Sequence, residues 1–278
     1  MDAKPIAPQP AAGESRRAWT SHETPGAYEM RPCPGAPWSA LDEEALGEYF
    51  AAFASGAPEG PGPDVAALSV REKFNIRRDS AIQPAVAGYA LFGVHPEVLR
   101  PAWRVTALRF GGAGITAPVM DRLDTEGPAP RAIEQVEGFL RRHLIIERLP
   151  ADPGAGSEEQ EAPEYPLAAA LEAVTNAVAH RDYAAASQVF LRLYDDRLEI
   201  ESPGGLLPGV TLEQLRTGGE SRPRNPVIAG TLRKMGLMAP AGRGLALIRE
   251  EMARLGSPPP EFAADGHSFR VTLHPRRG

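Results

Sequence analysis

Cysteine is nearly absent from this chain. Its one thiol, Cys33, excludes an intramolecular disulfide and a multi-cysteine metal site, and reads as a bystander rather than a nucleophile. Positive charge is not in excess either. The formal net charge is −6, so any contact with nucleic acid needs a local basic patch. Long apolar runs are missing, and the Ala-, Pro- and Gln-rich opening does not resemble a leader. No membrane partner is expected, and a cytoplasmic location is. What is present fits a folded globular chain: 42% hydrophobic and 24% charged residues over 278 positions, enough for one large domain or two modest ones. With 28 glycines and 29 prolines, loops should be many.

Residues 1–15 read as a flexible tail. Asp42 to Phe53 places Leu46, Tyr49, Phe50 and Phe53 at the spacing of an amphipathic helix. Ser55 to Asp64 reads as a loop, and Ser69 to Asn75 as a helix. Pro84 to Phe92 is apolar throughout, so period cannot separate helix from strand. Trp103 to Phe110 begins with strand-like alternation. Pro130 to His143 predicts a helix with Ile133, Val136, Phe139 and Leu140 on one face, then a short strand at Leu144–Glu147 and an acidic loop at Ala151–Ala162. Further on, Ser187–Tyr194 and Leu198–Ser202 predict a hairpin. Thr211–Arg216 predicts a short helix capped by Thr211. Asn225-Pro226 predicts a cap and first-turn proline opening a helix to Met235. Gly242-Arg243-Gly244 leads into another helix. A last hairpin joins Glu261–Ala263 to Ser268–Leu273 through Asp265-Gly266.

The centre of the chain is Glu164 to Tyr183. Pro166 suits a first helical turn, and Leu167, Leu171, Val174 and Val178 recur as one apolar stripe. Glu172, Asn176 and His180 are each four apart and stack on a strip beside it. Such spacing is most often a solvated face. A carboxylate one turn before a carboxamide can also orient and deprotonate water beside a neutral hard ligand for Mg²⁺. Downstream, glycines at Gly242 and Gly244 before a helix start allow close approach of a phosphate to free N–H groups.

These elements resemble the superfamily of gyrase, heat-shock chaperone, histidine kinase and MutL (GHKL). Glu172 to Ala177 matches its Glu-x-x-x-Asn-Ala motif. Ser202-Pro-Gly-Gly-Leu206 falls on the second motif, and Gly242-Arg-Gly-Leu245 on the glycine-rich turn after the lid. A narrower likeness lies in Asn176–Tyr183, Asp196–Leu206 and Arg224–Ala229. They are similar to a bacterial and archaeal family labelled ATP-binding transcriptional regulators or RecG-like ATP-dependent DNA helicases. Its plan is a Schlafen/Alba-type nucleic-acid-binding domain followed by the ATPase-like domain. Ala87–Gly93 and Pro101–Val105 resemble the segment between the two.

The resemblance implies an α/β (α+β) fold: a GHKL, Bergerat-type two-layer α/β sandwich at 128–275, preceded at 16–127 by a partial Schlafen/Alba-type module. It implies a nucleotide-binding regulatory protein, a slow Mg-dependent ATPase acting in transcription or DNA-related regulation. The site it implies has Glu172 as base, Asn176 on Mg²⁺, and His180, Ser202, Gly204, Gly205, Gly242 and Gly244 around ATP. DNA or RNA contact and a homodimer follow as open expectations. Two departures stand out. Ser202 takes the place of the adenine-binding aspartate. The acidic-Phe-Lys opening of the Schlafen/Alba domain is missing, so the chain is expected to begin late in it. The alternative is a degenerate module that uses the fold for protein or nucleic-acid contact without hydrolysis. His180-Arg181-Asp182 copies a kinase triplet without the rest of a kinase, and no Walker loop supports a helicase motor in these residues. Arg222, Arg224, Arg233 and Lys234 either touch phosphates or solvate the lid.

Overall fold

The computed structural model describes residues 24–53, 64–79, 81–144, 146–149, 160–217 and 222–276. The tail at 1–15, most of the two loops at 55–64 and 151–162, and Gly218-Gly219 lie outside the described residues.

The first helices are α1 (Glu43–Phe53) and α2 (Val65–Arg71), followed by a hairpin of β1 (Asn75–Arg78) and β2 (Ala81–Pro84). The helix expected at 69–75 therefore ends four residues earlier. Asp64 caps it by accepting from the Ala67 N–H at 2.9 Å, and the chain turns at Lys73 into the strand. The ambiguous apolar run is helix α3 (Val86–Phe92), every residue of which is buried. Being buried all round, it could show no helical period. Gly88 lets it lie against the start of β1: a Cβ there would fall on the Phe74 carbonyl. Tyr49, Phe50, Phe74 and Phe92 form the aromatic core of this part, with ring centroids 4.9–6.1 Å apart.

The chain continues through α4 (Pro96–Leu99), β3 (Val105–Phe110), β4 (Val119–Asp124), α5 (Ala129–His143), and a hairpin of β5 (Ile146–Leu149) and β6 (Gln160–Pro163). Then come α6 (Leu167–His180), β7 (Val189–Leu193), β8 (Leu198–Pro203), α7 (Leu212–Thr217), α8 (Pro226–Lys234), α9 (Gly244–Leu255), β9 (Glu261–Ala264) and β10 (Ser268–Leu273). The six-stranded sheet runs β4-β3-β7-β8-β10-β9. Only β3 and β7 pair in parallel; the other neighbours are antiparallel. Two of its strands, β3 and β4, precede residue 128, so the sheet draws on both sides of the 127/128 division.

The sheet is mixed and covered on one face, a two-layer α/β sandwich of GHKL type. Val105, Ala107, Val189, Leu191, Leu193, Leu198, Ile200 and Val271 alternate inward and are buried against α5 and α6. The outer face is ionic; Arg192, for example, reaches Glu201 at 3.1 Å. Helix α6 is the spine of the helical layer. Its five buried alanines, 169, 170, 173, 177 and 179, let it lie close between the sheet and α9, so its buried face is wider than the Val174/Val178 stripe. Burial of each valine contributes about 1.5–3 kcal/mol. Arg181, at the end of α6, is a structural bolt. It is 1% exposed and donates to the carbonyls of Ala102 and Ser187, which ties the α6 terminus to the segments leading into β3 and β7.

Candidate functional site

Glu172 and Asn176 sit on the side of α6 that α9 covers. Glu172 is 5% exposed, and both carboxylate oxygens are engaged. Oε1 accepts from Asn176 Nδ2 at 2.8 Å, and Oε2 accepts from the Ala239 N–H at 3.0 Å. Burial raises the Glu172 pKa, opposed by these two hydrogen bonds. Asn176 Nδ2 also donates to the Glu172 carbonyl. With the amide nitrogen turned to Glu172, the amide oxygen is the group Asn176 has left to offer a ligand.

The loop from α8 to α9 closes over this pair. Gly242 turns it through a left-handed conformation (φ +77°), and α9 then starts at Gly244. The glycine at 244 is set by space: a Cβ would lie within 2.9 Å of Asn176 Nδ2 and closer still to Glu172 Oε1. No side chain among the described residues caps the first turn of α9. Its N–H groups, next to a buried acid, are available to an anion.

His180, one turn beyond Asn176, lines the same region. Burial, with Arg233 and Arg224 nearby, holds its pKa down to about 4, so the ring is neutral at pH 7. Its Nδ1 accepts a long hydrogen bond (3.4 Å) from the Arg224 N–H, which places the ring proton on Nε2. Arg224 also donates through Nε to the His180 carbonyl (3.2 Å) and through Nη2 to the Gly205 carbonyl (2.6 Å). Gly204, at φ +99°, leaves room for that guanidinium, since a Cβ there would lie 3.2 Å from its Cζ. The Ser202-Pro-Gly-Gly turn and the Arg224 turn are thereby fastened to each other across the end of α6.

Two adjoining lobes result. The first, about 750 Å³ with its open mouth, lies between α6 and the sheet and is walled by Ala177, Ile200, Leu206, Val210, Phe269 and Val271, with Ser202 on one side. Arg222 and Arg224 border it. The second, about 640 Å³ again with its open mouth, lies under the loop from Met238 to Gly244 and is bordered by Arg233 and Arg249. Asn176, His180, Leu215 and Leu245 line both. No carboxylate lines either lobe among the described residues. The arrangement suits a flat apolar body in one lobe and an anionic tail reaching toward the start of α9.

All eight residues singled out from the sequence lie around these lobes: Asn176, His180, Ser202, Gly204, Gly205, Gly242 and Gly244 in their walls, Glu172 bonded to Asn176. Arg222, Arg224 and Arg233 border the lobes, whereas Lys234 points away and pairs with Glu72 at 3.3 Å. Three contributors had no readable signal: the Ala239 N–H, the Arg249 side chain, and Glu29. The expected cap at Asn225 is one correction. Its side chain makes no cap bond to α8; its amide donates to the carbonyls of Ala179 and Arg181. The cap is Glu29, whose oxygens accept from Val227 N at 2.8 Å and Ile228 N at 3.0 Å.

As for a metal, no group of three or more His, Cys, Asp or Glu side chains among the described residues could form a cage. The hard donor that the described residues offer here is the amide oxygen of Asn176, which would suit Mg²⁺ if other oxygen ligands completed its shell.

Residues 186–273 match the family model described as "Putative ATP-dependent DNA helicase recG C-terminal". The match takes in Ser202, Gly204, Gly205, Gly242 and Gly244 and begins after α6. Among solved structures the chain is similar to the DIP2311 protein from Corynebacterium diphtheriae, at 21% identity and a TM-score of 0.67, with 91% of this chain covered and 48% of that one. The chain thus spans about half the length of that relative. The comparison with curated proteins finds no match. Over residues 186–273 the chain is similar to an ATPase-like domain of the RecG C-terminal type, and the likeness to DIP2311 concerns its fold.

Proposed function

We propose that the two lobes bind a nucleoside triphosphate, ATP being the first choice, with the base in the apolar lobe and the phosphates under the Met238–Gly244 loop. The observation that supports this most is that the two lobes share Asn176 in their walls: an apolar slot adjoins a carboxylate-free, arginine-bordered space at an uncapped helix N-terminus. Asn176 would hold Mg²⁺ through its amide oxygen, and the ion would supply charge neutralisation for the phosphates. Glu172 is the general base for a slow hydrolysis. Its raised pKa favours proton acceptance, and movement of the loop that carries the Ala239 N–H would free Oε2 further for water. The wider reading is a nucleotide-dependent regulator in transcription or another DNA-related process, and homodimers and nucleic-acid contact belong to that proposal.

Titration calorimetry of the full chain with ATP, with and without Mg²⁺, tests the binding. Mg²⁺-dependent binding supports the reading; no heat at millimolar ATP overturns it. A second reading, a binding module without hydrolysis, is favoured by one observation, the full engagement of Glu172. ATP binding with no phosphate release would select it.

A further inference from the structure

The N-terminal part of the chain reaches the cleft through one buried side chain. Glu29 lies in the turn Pro25–Met30 and is 0% exposed. It serves two helices at once. Its backbone carbonyl accepts from Ala87 N at 2.8 Å at the start of α3, beside the Arg31 carbonyl, which accepts from Val86 N. Its carboxylate accepts from Val227 N and Ile228 N at the start of α8. The same turn makes a third contact, from Gly26 N to the Arg224 carbonyl at 2.8 Å, and Gly26 packs on Pro226.

On its other side the Arg224–Ile228 turn is the cleft. Arg224 borders the apolar lobe and spans from the His180 carbonyl to the Gly205 carbonyl. Next to it, buried Asn225 holds the end of α6 through Ala179 and Arg181. Residues 224–228 are therefore held between the turn at 25–30 and the site. A carboxylate at this helix start satisfies two orphan N–H groups and the α8 dipole. Without it the α8 start has no side-chain cap of its own, since Asn225 is committed elsewhere.

We infer that Glu29 is a positioning residue of the cleft: by capping α8 it holds Arg224 across the apolar lobe, so that the segment at 24–31 sets the shape of that lobe and with it the affinity of the site for its nucleotide. This rests on the nucleotide reading of the cleft. It makes the N-terminal part a built-in regulator: whatever moves that turn loosens Arg224.

The test uses the full chain, with Mg·ATP as the probe, and compares wild type with Glu29→Ala, Glu29→Asp, Arg224→Ala and the Glu29→Ala/Arg224→Ala pair. Glu29→Ala is expected to weaken binding about tenfold, as misplaced positioning groups do. Glu29→Asp should regain most of it. In the Arg224→Ala background the Glu29 change should have little further effect, because both act through one guanidinium. Wild-type affinity in Glu29→Ala, or losses that multiply in the double variant, would overturn the inference. If Glu29→Ala does not fold, Glu29→Gln replaces it in the same cycle. If wild type itself binds no ATP, the nucleotide reading fails, and hydrogen exchange without ligand decides the positioning role. Faster exchange in Glu29→Gln at Val227 and Ile228 and also at Gly204–Gly205 supports it; a change confined to Val227 and Ile228 overturns it.

Discussion

Two helices begin at the edge of the cleft, and their N-termini are treated in opposite ways. Helix α8 starts closed: the buried Glu29 carboxylate fills Val227 N and Ile228 N. Helix α9 starts open: its N-cap position is Arg243, no side chain caps its first turn among the described residues, and Gly244 brings its backbone against Glu172 and Asn176. Both termini carry the same partial positive charge. The difference lies in whether the protein supplies its own acceptors for the free N–H groups. Where it does, the terminus is architecture; where it does not, the terminus is left for a ligand.

The sharpest way to break this contrast is to disarm the open end. Glu172→Gln keeps the size of the side chain and cannot take a proton, although its NH2 must face one of the two donors, Asn176 Nδ2 or the Ala239 N–H. Nucleotide affinity should hold, and turnover should fall by about 10²–10⁴-fold in a phosphate-release assay. Equal turnover in variant and wild type would remove Glu172 from the chemistry.

The closed end predicts a pH effect on stability. Burial raises the Glu29 pKa to about 7, although the two N–H bonds and Lys73 pull the other way; the neighbouring Tyr183 phenol is neutral over this range. The native state then holds a proton that the unfolded chain releases near the ordinary value of 4.5, so protons bound by the folded form exceed those of the unfolded form between these limits. Stability from this group is full below pH 4.5 and is lost as pH rises through 7, about 3 kcal/mol in all. Urea midpoints from pH 5 to 8 should fall in wild type relative to Glu29→Gln; parallel curves would mean the cap does not titrate as placed.

Filling the open end should have a smaller effect. Gly244→Ala drives a methyl into Glu172 and Asn176, and is expected to destabilise the fold by about 1–3 kcal/mol and to weaken Mg·ATP binding. Thermal melts and calorimetry report the two losses. Wild-type behaviour in both would show that α9 does not press on the pair. Smallest is Ser202→Asp, which offers a charge-assisted acceptor to the adenine amino group. ATP should bind about five- to thirty-fold tighter, or about 1–2 kcal/mol, with GTP unimproved. A variant that binds both no better than wild type would place the base elsewhere than beside Ser202.

The sequence by itself determined most of the sandwich. Alternation in Val189–Leu193 and Leu198–Pro203, the Asp265-Gly266 turn, and the amphipathic run of α5 are local signals, each written within one element. So is the cap of α7, where Thr211 and Gln214 exchange hydrogen bonds at the spacing of a capping box. Glu172, Asn176 and His180 were legible because a helix turns four-residue spacing into neighbours, and Gly242 and Gly244 because they precede a helix start.

What only the tertiary structure decided are the contacts that sequence distance hides. Helix α3 has no period because it is buried on every side. Strand β4 has an irregular exposure pattern because it is an edge, and it joins the sheet through β3. Asn225 reads as a helix cap, yet Glu29 holds that post from 198 residues away. Ala239 meets Glu172 through a backbone N–H, which every residue but proline carries and no pattern marks. Side-chain type and spacing record what a residue does with its own element, whereas a backbone donor or a distant carboxylate finds its partner only when the chain closes on itself.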